Sequence, residues 1–264
     1  MKTRICFIAL FLFIVILTVS PEPSRSDDSL IADYGKTVAP LQSSEIAMVE
    51  EEVTITVDDY QGDAAFTLRR AHVECTFIFK NTSYKQVEAT VGFSGNKQNT
   101  ESAGSYPITD FITVIDRKRY DIAVKKEILK IWKTEGITDF RNWYTWQMKF
   151  PADSIVKVEN SYYCLLSAPT NYDPFYLHYE LATGANWRGP IGKATIRVVY
   201  KDADDLGKRV CDISPQGWVR NEKEIVWKFE NIKPTEKDNI LIAERNLGFS
   251  ILHPEEQEPL LFRK

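Results

Sequence analysis

Apolar and polar residues alternate with a period of two along most of this chain. In Glu52–Asp58, Val53, Ile55 and Val57 fall on one side, with Glu52, Thr54, Thr56 and Asp58 on the other. Val73, Cys75, Phe77 and Phe79 alternate with His72, Glu74, Thr76 and Lys80, and Val87, Ala89, Val91 and Phe93 with Glu88, Thr90 and Ser94. Successive side chains of a strand point to opposite faces, so these runs predict half-buried β-strands. Asn81-Thr82-Ser83 reads as a turn, and Phe111–Ile115 with Tyr120–Val124 around Asp116-Arg117-Lys118 reads as a hairpin. The pattern resumes with Tyr144, Trp146, Met148 and Phe150, then Val156, Val158, Tyr162 and Cys164, then Phe175, Leu177, Tyr179 and Leu181. Ala194 to Tyr200, Ile225 to Phe229 and Ile240 with Ile242 complete it. Pro151, Pro169, Pro174, Pro190, Pro215 and Pro234 all fall between runs, where a missing N–H disturbs no ladder.

One segment breaks the period. Lys126–Lys133 (KEILKIWK) sets Ile128, Leu129 and Trp132 at helical spacing opposite lysines, and Gly136 supplies a stop. The pattern therefore predicts an all-β chain of two successive antiparallel β-sandwich-like domains, 27–125 and 142–252. A short connecting helix over 126–141 joins them, and residues 253–264 form a flexible tail.

The N-terminus reads differently. Lys2 and Arg4 precede thirteen apolar residues, Ile5–Leu17, and then come Pro21, Pro23 and Ser24-Arg25-Ser26. This is the layout of a secretory signal peptide, residues 1–26, cut after Ser26. As a helix the apolar run spans roughly 20 Å, short of a hydrocarbon core of roughly 30 Å, so no stable membrane span is expected after cleavage. The 264-residue chain carries 33 Lys+Arg and 37 Asp+Glu, a net charge of −4, which argues against nucleic-acid partners. Cys75, Cys164 and Cys211 remain after cleavage. They read either as three buried thiols or as a Cys164–Cys211 bridge with Cys75 free.

The stretch Tyr179–Ala194 (YELATGANWRGPIGKA), with its Thr-Gly-x-x-Trp-x-Gly core, resembles a family of exported bacterial proteins catalogued as a domain of unknown function. Gly35, Ile46-Ala47-Met48, Phe77-x-Phe79-x-Asn81, Val91-Gly92-Phe93 and Trp227-x-Phe229 extend the resemblance over much of the chain, although Ser94 stands where the family has Pro. The resemblance implies a two-part β protein outside the cytoplasm, with no catalytic residues to transfer.

Thr183, Asn186, Trp187 and Arg188 in that block, together with Trp143, are the candidate ligand-binding residues. Glycines allow consecutive N–H groups to cup an anion, and an indole stacks on a sugar. A structured loop pinned by Trp187 accounts for the same residues, as does Trp143 packed inside. The block has no Gly-Lys-Ser/Thr end, so it is not a phosphate loop. Asp202, Asp204 and Asp205 lack the later bidentate Glu of a calcium loop and read as a solvated turn. G-x-S-x-G and H-E-x-x-H are absent, and neither a cofactor nor a metal site is expected. The expected function is a non-catalytic binding or accessory protein of the bacterial envelope, its partner a glycan, another envelope component or a protein. The alternative is an extracytoplasmic hydrolase with acidic residues between the two domains.

Overall fold

A computed structural model describes residues 28–33, 38–41, 43–61, 68–99, 108–133, 136–166 and 174–245. The expected signal segment, its cut after Ser26 and the tail 253–264 lie outside them. The strands are β1 (Asp28–Asp33), β2 (Val38–Leu41), β3 (Ile46–Tyr60), β4 (Leu68–Asn81), β5 (Val87–Asn99), β6 (Thr109–Ile115), β7 (Lys118–Tyr120) and β8 (Ala123–Trp132). They continue with β9 (Ile137–Phe150), β10 (Ile155–Leu165), β11 (Phe175–Tyr179), β12 (Ile191–Tyr200), β13 (Val210–Ser214), β14 (Val219–Arg220), β15 (Glu224–Ile232) and β16 (Ile240–Glu244). A 3-10 turn spans Leu181–Asn186, and a short helix, α1, spans Ala203–Arg209.

The protein is all-β. An eight-stranded sheet of order β14-β15-β12-β3-β4-β10-β6-β7 is faced by a five-stranded sheet, β2-β1-β5-β9-β8, and a three-stranded sheet, β11-β16-β13. One apolar core joins all three: Val53, Phe77, Val158 and Ile196 from the large sheet, Phe93, Trp146 and Phe150 from the second, Leu177 and Ile242 from the third. Each of these residues sits on the apolar side of its alternating run, which is why the period of two builds two layers. A β6–β7 hairpin forms, its turn made by Asp116 (φ 49°) and Arg117 (φ 68°), but its second arm is Lys118–Tyr120 rather than Tyr120–Val124, because Ala123 and Val124 begin β8 of the other sheet.

The connecting helix over 126–141 is a correction. Its residues form β8 and the start of β9, which pair antiparallel. Ile128 lies opposite Phe140 and Lys130 opposite Asp139, so Leu129 is the extra residue of a β-bulge. The bulge breaks the period of two and leaves apolar spacings that imitate a helix.

The division into two successive domains is also corrected at the level of sheets. β3 and β4 of the first half share a sheet with β10, β12 and β15 of the second, and β5 pairs β9 over Val87↔Phe150 to Asn99↔Asp139. The cause lies at β3. Its local neighbour β4 fills one edge, and β12 fills the other in parallel, from Lys193↔Glu50 to Tyr200↔Val57. A parallel partner needs a long crossover, which no local meander provides.

Cys164 and Cys211 are both free thiols, so the Cys164–Cys211 bridge is not formed. Cys75 is buried and Cys164 half-buried, whereas Cys211 is exposed and its thiol donates to the Ala243 carbonyl at 3.3 Å. Among the described residues no helix is long and apolar enough to cross a membrane.

Candidate functional site

The loop between β11 and β12 is held from several directions by its own backbone. The N–H of Ser43 donates to the Asn186 carbonyl at 2.7 Å, and the N–H of Arg188 donates to the Ile46 carbonyl at 2.8 Å. The Arg188 guanidinium, itself exposed, donates to Thr82 Oγ1. Thr183 is buried, and its hydroxyl donates to the Glu180 carbonyl at 3.3 Å. Gly189 turns the chain with φ 72°, and Gly192 brings β12 so near β3 that a Cβ there would lie 2.5 Å from the Val49 carbonyl oxygen. The glycines thus serve a turn and a close strand approach.

Trp187 is 1% exposed, its ring centroid 4.4 Å from Phe79 and 6.4 Å from Phe150. Trp143 is 0% exposed, and its Nε1 donates to Glu127 Oε2 at 2.8 Å. Neither indole is offered to a ligand, which corrects the expected stacking platform. Trp143 lies on the face of β9 opposite Phe150, so the two tryptophans do not meet. On that face Gln147 and Lys149 are exposed, yet Trp143 and Thr145 are enclosed. The five-stranded sheet curls until β2 approaches β8, and Asp139, Arg141, Trp143 and Thr145 are enclosed on this face of β9.

The sequence reading missed a charged cluster at the end of the core. Arg69 on β4 is 1% exposed. Its Nε donates to Glu244 Oε2 at 2.8 Å, and its Nη1 donates to Asp59 Oδ1 at 2.6 Å and Asp205 Oδ2 at 2.9 Å. Arg209 on α1 adds a bond from Nε to Asp205 Oδ1 at 2.7 Å. Burial opposes the charge on Arg69, but Glu244, Asp59 and Asp205 outweigh it and raise its pKa. Tyr200 reaches the same cluster, and burial beside Glu244 raises its hydroxyl pKa. The acidic run at 202–205 therefore divides its work. Asp202 caps α1 by accepting from the Asp204 N–H at 3.0 Å, while Asp205 turns inward to Arg69.

A second buried carboxyl lies nearer the middle. Glu51 on β3 is 0% exposed, flanked across the sheet by Phe77 and Ala194. Tyr179 donates its hydroxyl to Glu51 Oε1 at 2.8 Å, and Oε2 has no partner among the described residues. Burial pushes this carboxyl up to about 8, against a partial lowering by the Tyr179 hydrogen bond. A signal for both clusters is present in the sequence. Glu51 precedes the stripe Val53, Ile55, Val57, Asp59 ends it, and Arg69 begins the stripe Ala71, Val73, Cys75. A charge that continues an apolar stripe must find a partner inside.

On the outer face of the large sheet, planar groups stand side by side. The Arg70 guanidinium lies 4.8 Å from the Tyr60 ring centroid and 5.0 Å from that of Tyr163, which stacks on His72 at 4.4 Å. Asp58 anchors this row, accepting from Arg70 Nη2 at 3.0 Å and Lys201 Nζ at 2.6 Å. Among the described residues no group of His, Cys, Asp and Glu is arranged to hold a metal ion.

No protein-family model matches the chain, and neither does any curated protein. Among solved structures it is similar to a proposed nutrient-binding protein from Legionella pneumophila, at 16% identity over 87% of this chain and 74% of that one, with a TM-score of 0.63. It is also similar to an M1 zinc metallopeptidase from Deinococcus radiodurans, at 8% identity over 77% of this chain and 43% of that one, with a TM-score of 0.38. The first likeness shows a shared β-rich fold; the second carries no argument.

Proposed function

We propose that the chain is an exported, non-catalytic binding or accessory protein of the bacterial envelope. The state of the carboxylates around Arg69 and of buried Glu51 carries this reading. Glu244, Asp205 and Asp59 are engaged by Arg69 and Arg209, and Glu51 is held protonated near neutral pH by burial. A hydrolase needs carboxylates facing a substrate, with one kept ionised; here their partners are guanidinium groups and a phenol. Residues 1–26, with the layout of a signal peptide, support export. The fold shared with a proposed nutrient-binding protein is in keeping with ligand capture.

The raised carboxyl of Glu51 favours the alternative of an extracytoplasmic hydrolase, with this residue as its acid. One experiment separates the two. The protein is recovered after export, its N-terminus is read, and it is incubated with an envelope extract under native mass spectrometry. The proposal expects an N-terminus at Asp27 and a bound species released chemically unchanged. Accumulation in the cytosol with Met1 intact overturns export, and conversion of the captured species that Glu51→Gln abolishes overturns the non-catalytic reading.

A further inference from the structure

One side of the sandwich stands apart in charge and exposure. β7 closes one end of the eight-stranded sheet and β8 one end of the five-stranded sheet, with Asp121 and Ile122 alone between them in the chain. The two rims therefore follow one another along the same side. Residues 116–133 hold seven Lys/Arg and three Asp/Glu, a net of +4, in a chain whose net charge is −4, so the other 246 residues carry −8. Arg117, Lys118, Arg119, Lys126 and Lys133 are exposed.

The same rim leaves aliphatic groups in water. Val124 is 60% exposed, Ile128 41% and Ile131 60%, three of the six large hydrophobics that stand exposed among the described residues. Val124, Lys126 and Ile128 share one face of β8, and the bulge at Leu129 returns Ile131 to it, since Ile131 pairs with Thr138 on the Phe140 side of β9. The Lys126 ammonium lies 3.9 Å from the Phe140 ring centroid, so its stem runs along this face. Lysines alone would guard a strand edge against pairing. Aliphatic groups set among them defeat that purpose and need a partner that takes both.

We propose that this rim docks on the surface of an anionic lipid bilayer. The lysines and arginines meet headgroup phosphates, and Val124, Ile128 and Ile131 enter the boundary with the acyl chains. A soluble polyanion would satisfy the cations and leave the aliphatic groups wet. The charge of −8 elsewhere repels the same surface and turns the rim toward it. The inference goes beyond the function proposed above and holds whatever ligand the protein carries.

Sedimentation with vesicles tests it, using the protein as recovered after export. The vesicles are pure phosphatidylcholine or phosphatidylcholine mixed with phosphatidylglycerol, and soluble polyglutamate is a third probe. The expected result is co-sedimentation with the anionic vesicles, weakened by salt. Binding should fall about fivefold for each of Lys118→Gln, Lys126→Gln and Lys133→Gln, and be lost in the triple Val124→Thr, Ile128→Thr, Ile131→Thr variant. Threonine keeps β-branching, and an unchanged melting temperature and circular dichroism spectrum show that each variant is folded. Equal binding to both vesicle types, or binding that the threonine variant leaves intact, overturns the proposal. So does tighter binding to polyglutamate than to vesicles, which assigns the rim to an acidic protein. A concentration-dependent dimer that the threonine variant abolishes overturns it in favour of a second copy.

Discussion

Replacing Glu51 with Gln removes a titrating group from the core, and its effect should depend on pH in a defined way. The carboxyl is 0% exposed, and burial lifts its pKa from 4.5 to about 8. In the unfolded chain the proton leaves near 4.5; in the folded protein it stays until about 8. Between these values the unfolded state binds fewer protons, so stability falls as pH rises, by about 1.4 kcal/mol per pH unit from this group alone. Above the folded pKa both states are ionised and the loss levels off, at roughly 5 kcal/mol as an upper bound. Below 4.5 both are protonated and the group costs nothing. Gln stays neutral throughout and keeps an oxygen for the Tyr179 hydroxyl. Urea unfolding followed by tryptophan fluorescence, repeated from pH 4.5 to 8.5, should show Glu51→Gln gaining on the wild type as pH rises, with the denaturant slope unchanged. A pH-independent offset would report packing alone, and a difference that stays constant across this window refutes the account of Glu51.

Three further outcomes are expected. Arg69→Met leaves Glu244 charged and uncompensated at 0% exposure, costing about 3–5 kcal/mol; the double variant Arg69→Met, Glu244→Leu should recover most of that in denaturant midpoint, and a double variant no better than the single one counts against the cluster. Gly192→Ala drives a Cβ to 2.5 Å from the Val49 carbonyl oxygen and should cost about 1–3 kcal/mol; Gly207→Ala within α1, with nothing inside 4 Å, should instead gain about 0.5–1 kcal/mol, both read from thermal or urea unfolding. Among the described thiols a maleimide should label exposed Cys211 first, while Cys164, pushed up to about 12 by burial, should react only under denaturing conditions, as peptide mapping would show.

Much of the fold was legible because a two-layer β structure writes its layers into alternate residues. Val53, Ile55 and Val57 face the core as their spacing requires, as do Trp146, Met148 and Phe150. The bulge at Leu129 was not legible, because an inserted residue in a strand and one turn of helix leave the same local apolar spacing. Nor was the pairing of β3 with β12, which joins residues some 140 positions apart and leaves no mark on either stripe. In the candidate loop the sequence singled out Trp187 and the glycines correctly as special, and its structural alternative is the one found. The indole fills the space beside Phe79, and Gly192 lets two backbones touch. Alternation sets Trp143 on the side of Thr145, Gln147 and Lys149, which a flat sheet would leave in water, whereas this sheet curls and encloses it. The Arg69 cluster was half legible: the stripe-ending charges could be picked out, but Glu244, 175 residues from Arg69, could not be named as a partner.

The neighbour that β12 provides for β3 arrives late. A nascent chain released before Ile191 would hold a fifteen-residue ribbon with one flank of amide and carbonyl groups unclaimed, a template for any other extended segment. Cutting the gene at its apparent midpoint should therefore yield two sticky fragments rather than two modules, and co-expressing them, by returning each lost flank, should restore solubility.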